Sequence, residues 1–259
     1  MSFAVAADAY DRFMGRYSRH LSGQLADLAG VAVGQRVLDV GCGPGALTSE
    51  LVARVGADRV SAVDPSTSFV EAARARHPGV LVLEAAAEAL PFETAAFDAA
   101  LAQLVVHFMA GPVAGLGEMR RVTRVGGVVA ACVWDHASAA GPLGLFWEAA
   151  RSLDPGVHDE SRLAGAREGH LAELFAAAGL ASVQSGTIDA AVQHATFEEW
   201  WTPFEGGVGP AGGYVATLGA GERIALREEC RRRIPTEPFT VTARAWACRG
   251  IVPSSQEPL

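Results

Sequence analysis

At residues 36–48 the chain reads RVLDVGCGPGALT: an apolar run, a turn crowded with glycine, and the opening of a helix. A strand that enters a helix through such a turn presents backbone N–H groups to a ligand at the helix N-terminus. Three kinds of ligand are usual there: a nucleoside triphosphate, a dinucleotide, or a molecule without phosphate.

The pattern around the turn repeats. Strand signals at residues 36–40, 60–64, 80–84, 97–106 and 128–134 alternate with helical spacings carried by Leu47, Leu51 and Val55, by Phe69, Val70 and Ala73, and by Val113, Leu116 and Met119. Strand followed by helix, repeated, predicts a parallel sheet covered on both faces, an α/β fold of the Rossmann-like kind. Leu171, Leu174, Phe175 and Ala178 predict a further helix stopped by Gly179, with a strand at residues 182–189. The last apolar alternation, residues 239–246, has no helix after it and is expected to join the sheet antiparallel.

The 259 residues read as a single domain with three additions to the sheet. Residues 1–30 carry Leu21, Leu25 and Leu28 before Gly30, which predicts an N-terminal helical cover. Residues 136–167 and 194–235 are inserts expected to form a substrate cover. In the second, Thr196 and Glu199 match a capping box, Leu226, Cys230 and Ile234 mark another helix, and residues 206–213 are glycine-rich.

Charge narrows the partners. The formal net charge is −8, and the one basic run, CRRRIP at residues 230–235, lies beside Glu228 and Glu229, so nucleic acid is not expected. The longest apolar runs fall short of the roughly 20 residues a membrane helix needs, and no secretory apolar core opens the chain, which reads as cytoplasmic. Cys42, Cys132, Cys230 and Cys248 show no metal-ligand spacing and read as buried free thiols, so no metal is expected.

A triphosphate loop needs lysine and then serine or threonine where its helix opens, and here the helix opens Ala46, Leu47, Thr48. A dinucleotide fits better, because Gly41, Gly43 and Ala46 satisfy G-x-G-x-x-G/A and Asp64 follows about 20 residues on. Asp39, two residues before the first glycine, is awkward beside a pyrophosphate. It suits a ligand with a cationic amine, either directly or by holding the loop's amides. S-adenosylmethionine has that amine, a carboxylate for the helix N-terminus, and ribose hydroxyls for Asp64. An NAD(P)-dependent oxidoreductase and a non-catalytic S-adenosylmethionine-binding regulatory protein stay open as alternatives.

The segments VLDVGCGPG, AVDPS and AEALPFETAAFDAALAQLVVHF, in that order and spacing, resemble class I S-adenosylmethionine-dependent methyltransferases, specifically the type 11 group that includes ubiquinone and menaquinone C-methyltransferases. The resemblance runs from about residue 10 to residue 135. It implies a seven-stranded sheet of order 3-2-1-4-5-7-6 with strand 7 antiparallel. It also implies that Gly41, Cys42, Gly43 and Gly45 line the methionine part of S-adenosylmethionine, that Asp64 binds the ribose hydroxyls, and that Pro65 and Ser66 flank the adenine. Ala87 and Glu88 fall where a backbone amide meets adenine, and Gln103 falls beside the methionyl amine and sulfonium. Two positions depart from the family: Ala86 stands where an aspartate often binds the adenine amino group, and Val125 replaces a common proline.

Ligands of open α/β sheets bind beyond the carboxyl ends of the strands, so a small-molecule methyl acceptor is expected above Gln103, His107 and Trp134. Trp200, Trp201 and Phe204 read either as core or as pocket wall. The stretch at residues 10–20, with its aromatics and with Arg12, Arg16 and Arg19, is expected to cover the site together with the glycine-rich insert. Methyl transfer asks mainly for positioning, with S-adenosylhomocysteine as the product. Where a base helps, His107 is the first candidate, and Asp135, His136 and His194 follow.

Overall fold

The computed structural model describes residues 11–207, 209–234 and 236–254, with the side chains of Asp11 and Arg12 excepted. Residues 1–10 of the expected N-terminal cover, Tyr10 among them, lie outside the described residues, as do Val208 and Pro235 of the second insert.

A π turn at Asp11–Gly15 leads into helix α1 (Arg16–Ala29), which buries Tyr17, Leu21 and Leu25 at four-residue spacing along one face. It ends at Gly30, whose φ of 67° lets its N–H turn back to the Ala26 and Asp27 carbonyls. Then come β1 (Val37–Val40), α2 (Ala46–Val55), β2 (Val60–Asp64), α3 (Thr67–Arg76) and β3 (Leu81–Glu84). They continue through β4 (Phe97–Gln103), α4 (Pro112–Val122) and β5 (Thr123–Trp134). All four residues of β1 are buried, as a strand covered on both faces requires.

The remainder is α5 (Gly144–Leu153), α6 (His170–Ala177), β6 (Ala181–His194), α7 (Phe197–Glu205), α8 (Gly209–Thr217), α9 (Ala220–Arg233) and β7 (Phe239–Ile251). The strands form one seven-stranded sheet, β3-β2-β1-β4-β5-β7-β6. β1 to β5 pair in parallel, and β7 runs antiparallel to both β5 and β6. Both the order and the reversed strand agree with expectation. One core lies between the sheet and α1, α2 and α5; another lies on the opposite face beneath α4 and α6. The four cysteines are free and buried.

Several boundaries differ from the sequence reading, β5 starting at Thr123 and β7 reaching Ile251 among them. β4 stops at Gln103, not residue 106, because Leu104 takes a left-handed φ of 62° and residues 106–108 wind into a 3-10 turn. That turn carries His107. β6 runs on to His194, where it pairs with Phe239, because β7 is long enough to keep bonding it. The glycine-rich stretch at residues 206–213 runs into α8, which buries Ala211 and Val215.

Candidate cofactor site

The site is built where β1, β2 and β4 end together, Asp39 being registered with Ala62 on one side and Leu101 on the other. Beyond β1 the chain turns across the end of β2, and the Gly41 and Cys42 N–H groups both donate to the Val63 carbonyl, at 2.8 and 2.9 Å. Gly41 and Gly43 have φ of 71° and 53°. A Cβ on Gly41 would stand 2.5 Å from the Val105 methyls, whereas one on Gly43 would meet no protein atom within 4 Å. Gly43 therefore leaves open space in the wall of a cavity, and Gly41 leaves room for a neighbour.

Asp64, the last residue of β2, fastens the turn. One of its oxygens accepts the Gly43 N–H at 2.9 Å and the other the Ser66 N–H at 2.8 Å. Burial raises its carboxyl above the usual range against those two bonds. A carboxylate accepts about four hydrogen bonds, so capacity for a ligand is left.

Asp39 does not hold the loop's amides. One of its oxygens accepts the Thr48 hydroxyl, on the first turn of α2, at 2.6 Å, and the other, Oδ1, is buried with no partner. Burial, opposed by the Thr48 bond and reinforced by the Asp64 charge, pushes the Asp39 carboxyl up to about 7. Gln103 donates its amide to the Ser18 carbonyl of α1 at 3.1 Å, and its Oε1 is likewise buried and unpartnered. Both residues line one cavity of about 30 Å³, together with Gly41, Cys42 and Gly43. Leaving such acceptors unpaired costs about 1–3 kcal/mol each, so the cavity suits a ligand that brings N–H donors.

Gly41, Gly43 and Gln103 also border a larger cavity of about 270 Å³ that extends past Asp64 and Pro65 to Ala86, Ala87 and Glu88. The Glu88 carboxylate accepts the Gly111 N–H at 3.0 Å, ahead of α4, which fixes this wall. Gly45 and Ser66 stand behind the walls: the Gly45 carbonyl bonds the His77 ring at 3.1 Å, and the Ser66 hydroxyl bonds Ser68 at 3.0 Å. Burial, then the Asp39 and Asp64 charges, push the Cys42 thiol well up, so it is neutral.

A third cavity, of about 40 Å³, adjoins the large one through their shared wall residues Leu104 and Phe108. His107, His136 and Glu160 line it, buried to 6%, 8% and 4% exposure. Glu160 accepts the Trp147 indole N–H at 2.9 Å, and its other oxygen lies 3.9 Å from His136 Nε2. Burial pushes the Glu160 carboxyl up to about 7, opposed by the Trp147 bond. It lowers His136 to about 4, against the Asp159 and Asp135 charges, and lowers His107 well below the usual range.

The other candidate bases lie elsewhere. Asp135 is occupied by the Ser138 N–H and hydroxyl, at 3.2 and 2.5 Å. His194 bonds the Tyr17 hydroxyl at 3.0 Å beside the Arg16–Glu199 ion pair, where it ties α1 to the edge of the sheet. Trp200, Trp201 and Phe204 are packed as core at 3%, 1% and 0% exposure, with Phe204 stacked on Phe146 at 4.5 Å.

Sequence reasoning passed over Thr48, the partner of Asp39, which it read only as a mismatch to the triphosphate loop. Glu160 was also missed. It sits in an insert without motif or periodicity, and only its burial singles it out.

A methyltransferase domain model matches residues 38–131. The chain is 35% identical over 128 residues to malonyl-[acyl-carrier protein] O-methyltransferase of Erwinia billingiae, covering 49% of this chain and 50% of that one. It is 36% identical over 112 residues to demethylmenaquinone methyltransferase of Renibacterium salmoninarum, covering 43% and 46%. The chain thus spans about half the length of the curated relatives it matches. Among solved structures, YcgJ of Bacillus subtilis superposes with a TM-score of 0.59 at 19% identity, over 91% of this chain and 99% of that one. That likeness carries the fold, and the sequence match carries the loop, Asp39 and Asp64. Residues 38–131 thus match a methyltransferase domain, and the sheet built around them has the order β3-β2-β1-β4-β5-β7-β6 with β7 antiparallel.

Proposed function

We propose that the protein methylates a small organic acceptor with S-adenosylmethionine as donor, by in-line displacement and chiefly through positioning. The observation that carries this reading is the pair of buried, unpartnered oxygens, Asp39 Oδ1 and Gln103 Oε1, on one small cavity beside the glycine turn. An ammonium group supplies the donors both lack, which a pyrophosphate does not. When bound, S-adenosylmethionine supplies an activated methyl group on its sulfonium.

The chain's own residues divide the work. Asp39 and Gln103 accept from the amine, and Gly41, Cys42 and Gly43 leave the backbone open to the methionyl part. Asp64 takes the ribose hydroxyls in addition to the two amides it already holds. Pro65, Ala87 and Glu88 bound the adenine, with Ala86 leaving that wall apolar, while Gly45 and Ser66 support the loops from behind. Residues of α1 close the site over Gln103 and exclude water. Orientation of this kind supplies roughly 7–11 kcal/mol, more than a base adds, so His107 contributes at most modestly as a base.

The acceptor is a small molecule rather than nucleic acid, a reading supported by the net charge of −8. Buried free thiols suit a reducing compartment, which supports action in the cytoplasm. Two measurements test the proposal. Calorimetry should give S-adenosylhomocysteine binding far tighter than NADH, and a labelled-methyl assay on extracts of the producing cell should yield a methylated small molecule. NADH binding without any response to S-adenosylhomocysteine would assign an oxidoreductase instead. Binding with no transfer to any extract component would assign a regulatory protein.

A further inference from the structure

Two carbonyls of the glycine turn are held from one place, the end of α3. Arg76, its last residue, donates Nη1 to the Pro44 carbonyl at 2.9 Å, and His77, which follows it, reaches the Gly45 carbonyl with Nε2 at 3.1 Å. Pro44 itself lines the small cavity beside Asp39 and Gln103. The Gly45 carbonyl also accepts the Ser49 N–H at 3.0 Å and the Ser49 hydroxyl at 2.8 Å, so three donors converge on it. Gly45 has a φ of 97°, and a Cβ there would stand 2.6 Å from His77 Nε2. The missing side chain is what admits the ring.

A carbonyl only accepts, so the His77 Nε2 carries the hydrogen. Burial, opposed by the Gly45 bond and helped by the Arg76 charge, lowers the His77 pKa, so the ring is mostly uncharged at neutral pH. The other end of α3 is fixed as well. Ser66, its N-cap, donates its N–H to the Asp64 carboxylate, whose second oxygen accepts the Gly43 N–H. Gly43, Pro44 and Gly45 are thus pinned in succession, the first from the end of β2 and the next two from the far end of α3. The ten residues of α3 span about 15 Å, so one helix sets the distance between the two sets of bonds.

We propose that His77 and Arg76 are positioning residues for the cofactor, clamping the Gly45 and Pro44 carbonyls so that the glycine turn keeps the shape in which Gly43 is open to the methionyl part. The assignment rests on the methyltransferase reading above and adds two residues to its site. Neither side chain lines the cavities that border the turn, so both act through the backbone they hold.

The test measures S-adenosylhomocysteine binding to the full chain by calorimetry, and amide exchange of Gly45 and Ser49 in the ligand-free protein. His77→Ala should weaken binding by about fivefold or more. Glutamine sets an amide nitrogen where Nε2 stood, whereas asparagine sets one where Nδ1 stood. His77→Gln should therefore bind within about twofold of the parent, while His77→Asn should fall with His77→Ala. Arg76→Ala should lose about twofold, because Arg76 is exposed. Exchange at Gly45 and Ser49 should be faster in His77→Ala and His77→Asn than in His77→Gln. Parent affinity in His77→Ala, or equal affinities for His77→Asn and His77→Gln, overturns the proposal, since packing alone does not tell the two amides apart. Parent affinity in Arg76→Ala likewise overturns the share of Arg76. Failure of the parent to bind S-adenosylhomocysteine would defeat the methyltransferase reading. The exchange series on the ligand-free protein would still decide the clamp.

Discussion

Thr48 gives its hydroxyl to one oxygen of Asp39 at 2.6 Å, and the other oxygen of that carboxylate is buried with nothing to accept from. The half-satisfied pair ties the first turn of α2 to the end of β1 and leaves an acceptor waiting at the glycine turn. Burial raises the Asp39 carboxyl from 3.8 to about 7, so the folded protein holds that proton more tightly than the unfolded chain does.

The pH consequence has a definite sign. Asp39 contributes stability below about pH 4, and that contribution is lost as the pH rises to about 7. Asp39→Asn has no such loss, so the cofactor-free variant should gain on the parent protein between about pH 5 and about pH 8 in urea unfolding. A gap that stays constant or narrows would mean that Asp39 ionises as it does in water. Cofactor binding that holds Asp39 ionised should also release a proton below about pH 7, visible as a buffer-dependent heat.

The two glycines separate packing from binding. Gly41→Ala sets a methyl 2.5 Å from Val105 and should unfold the protein more easily by about 1–3 kcal/mol as well as weaken cofactor binding. Gly43→Ala meets no protein atom and should cost only the left-handed backbone penalty of about 1–2 kcal/mol in stability. Its loss in S-adenosylhomocysteine affinity should be the larger effect. Equal affinities for Gly43→Ala and the parent would remove the turn from the site.

Tyr17 holds α1 to the edge of the sheet through its hydroxyl, which bonds His194 Nε2 at 3.0 Å in a buried contact. Tyr17→Phe should cost about 1 kcal/mol and speed amide exchange across Arg16–Ala29. Gln103 leans on Ser18 of the same helix, so cofactor affinity should fall with it. In the parent protein, S-adenosylhomocysteine should slow exchange in this helix. If exchange is the same with and without ligand, α1 is ordinary packing.

Phe204, at 0% exposure, stacks on Phe146 and meets Phe13 edge-on at 5.1 Å. Phe204→Ala should destabilise by about 3–5 kcal/mol in chemical unfolding, the cost of a large core cavity. Affinity for S-adenosylhomocysteine in the folded fraction should be unchanged. A stability loss below about 1 kcal/mol would return Phe204 to the role of a pocket wall.

What the sequence alone determined was everything with a short period or a local steric demand. The strand and helix alternation, the reversed β7 and the Gly30 stop follow from spacing over a few residues, as does the glycine turn with Asp39 and Asp64 at its ends. Tertiary structure decided which atoms of those residues are still free. Asp39 and Asp64 look alike in sequence, yet Asp64, the last residue of β2, has taken the loop amides, whereas Asp39, one residue before the end of β1, has only Thr48. His107 led His136 and His194 as candidates in sequence, and folding put the first two on one cavity and spent the third on Tyr17. Glu160 had no signal at all. Hydrogen-bond satisfaction and burial depend on residues far apart in the chain, and one-dimensional pattern carries no record of them.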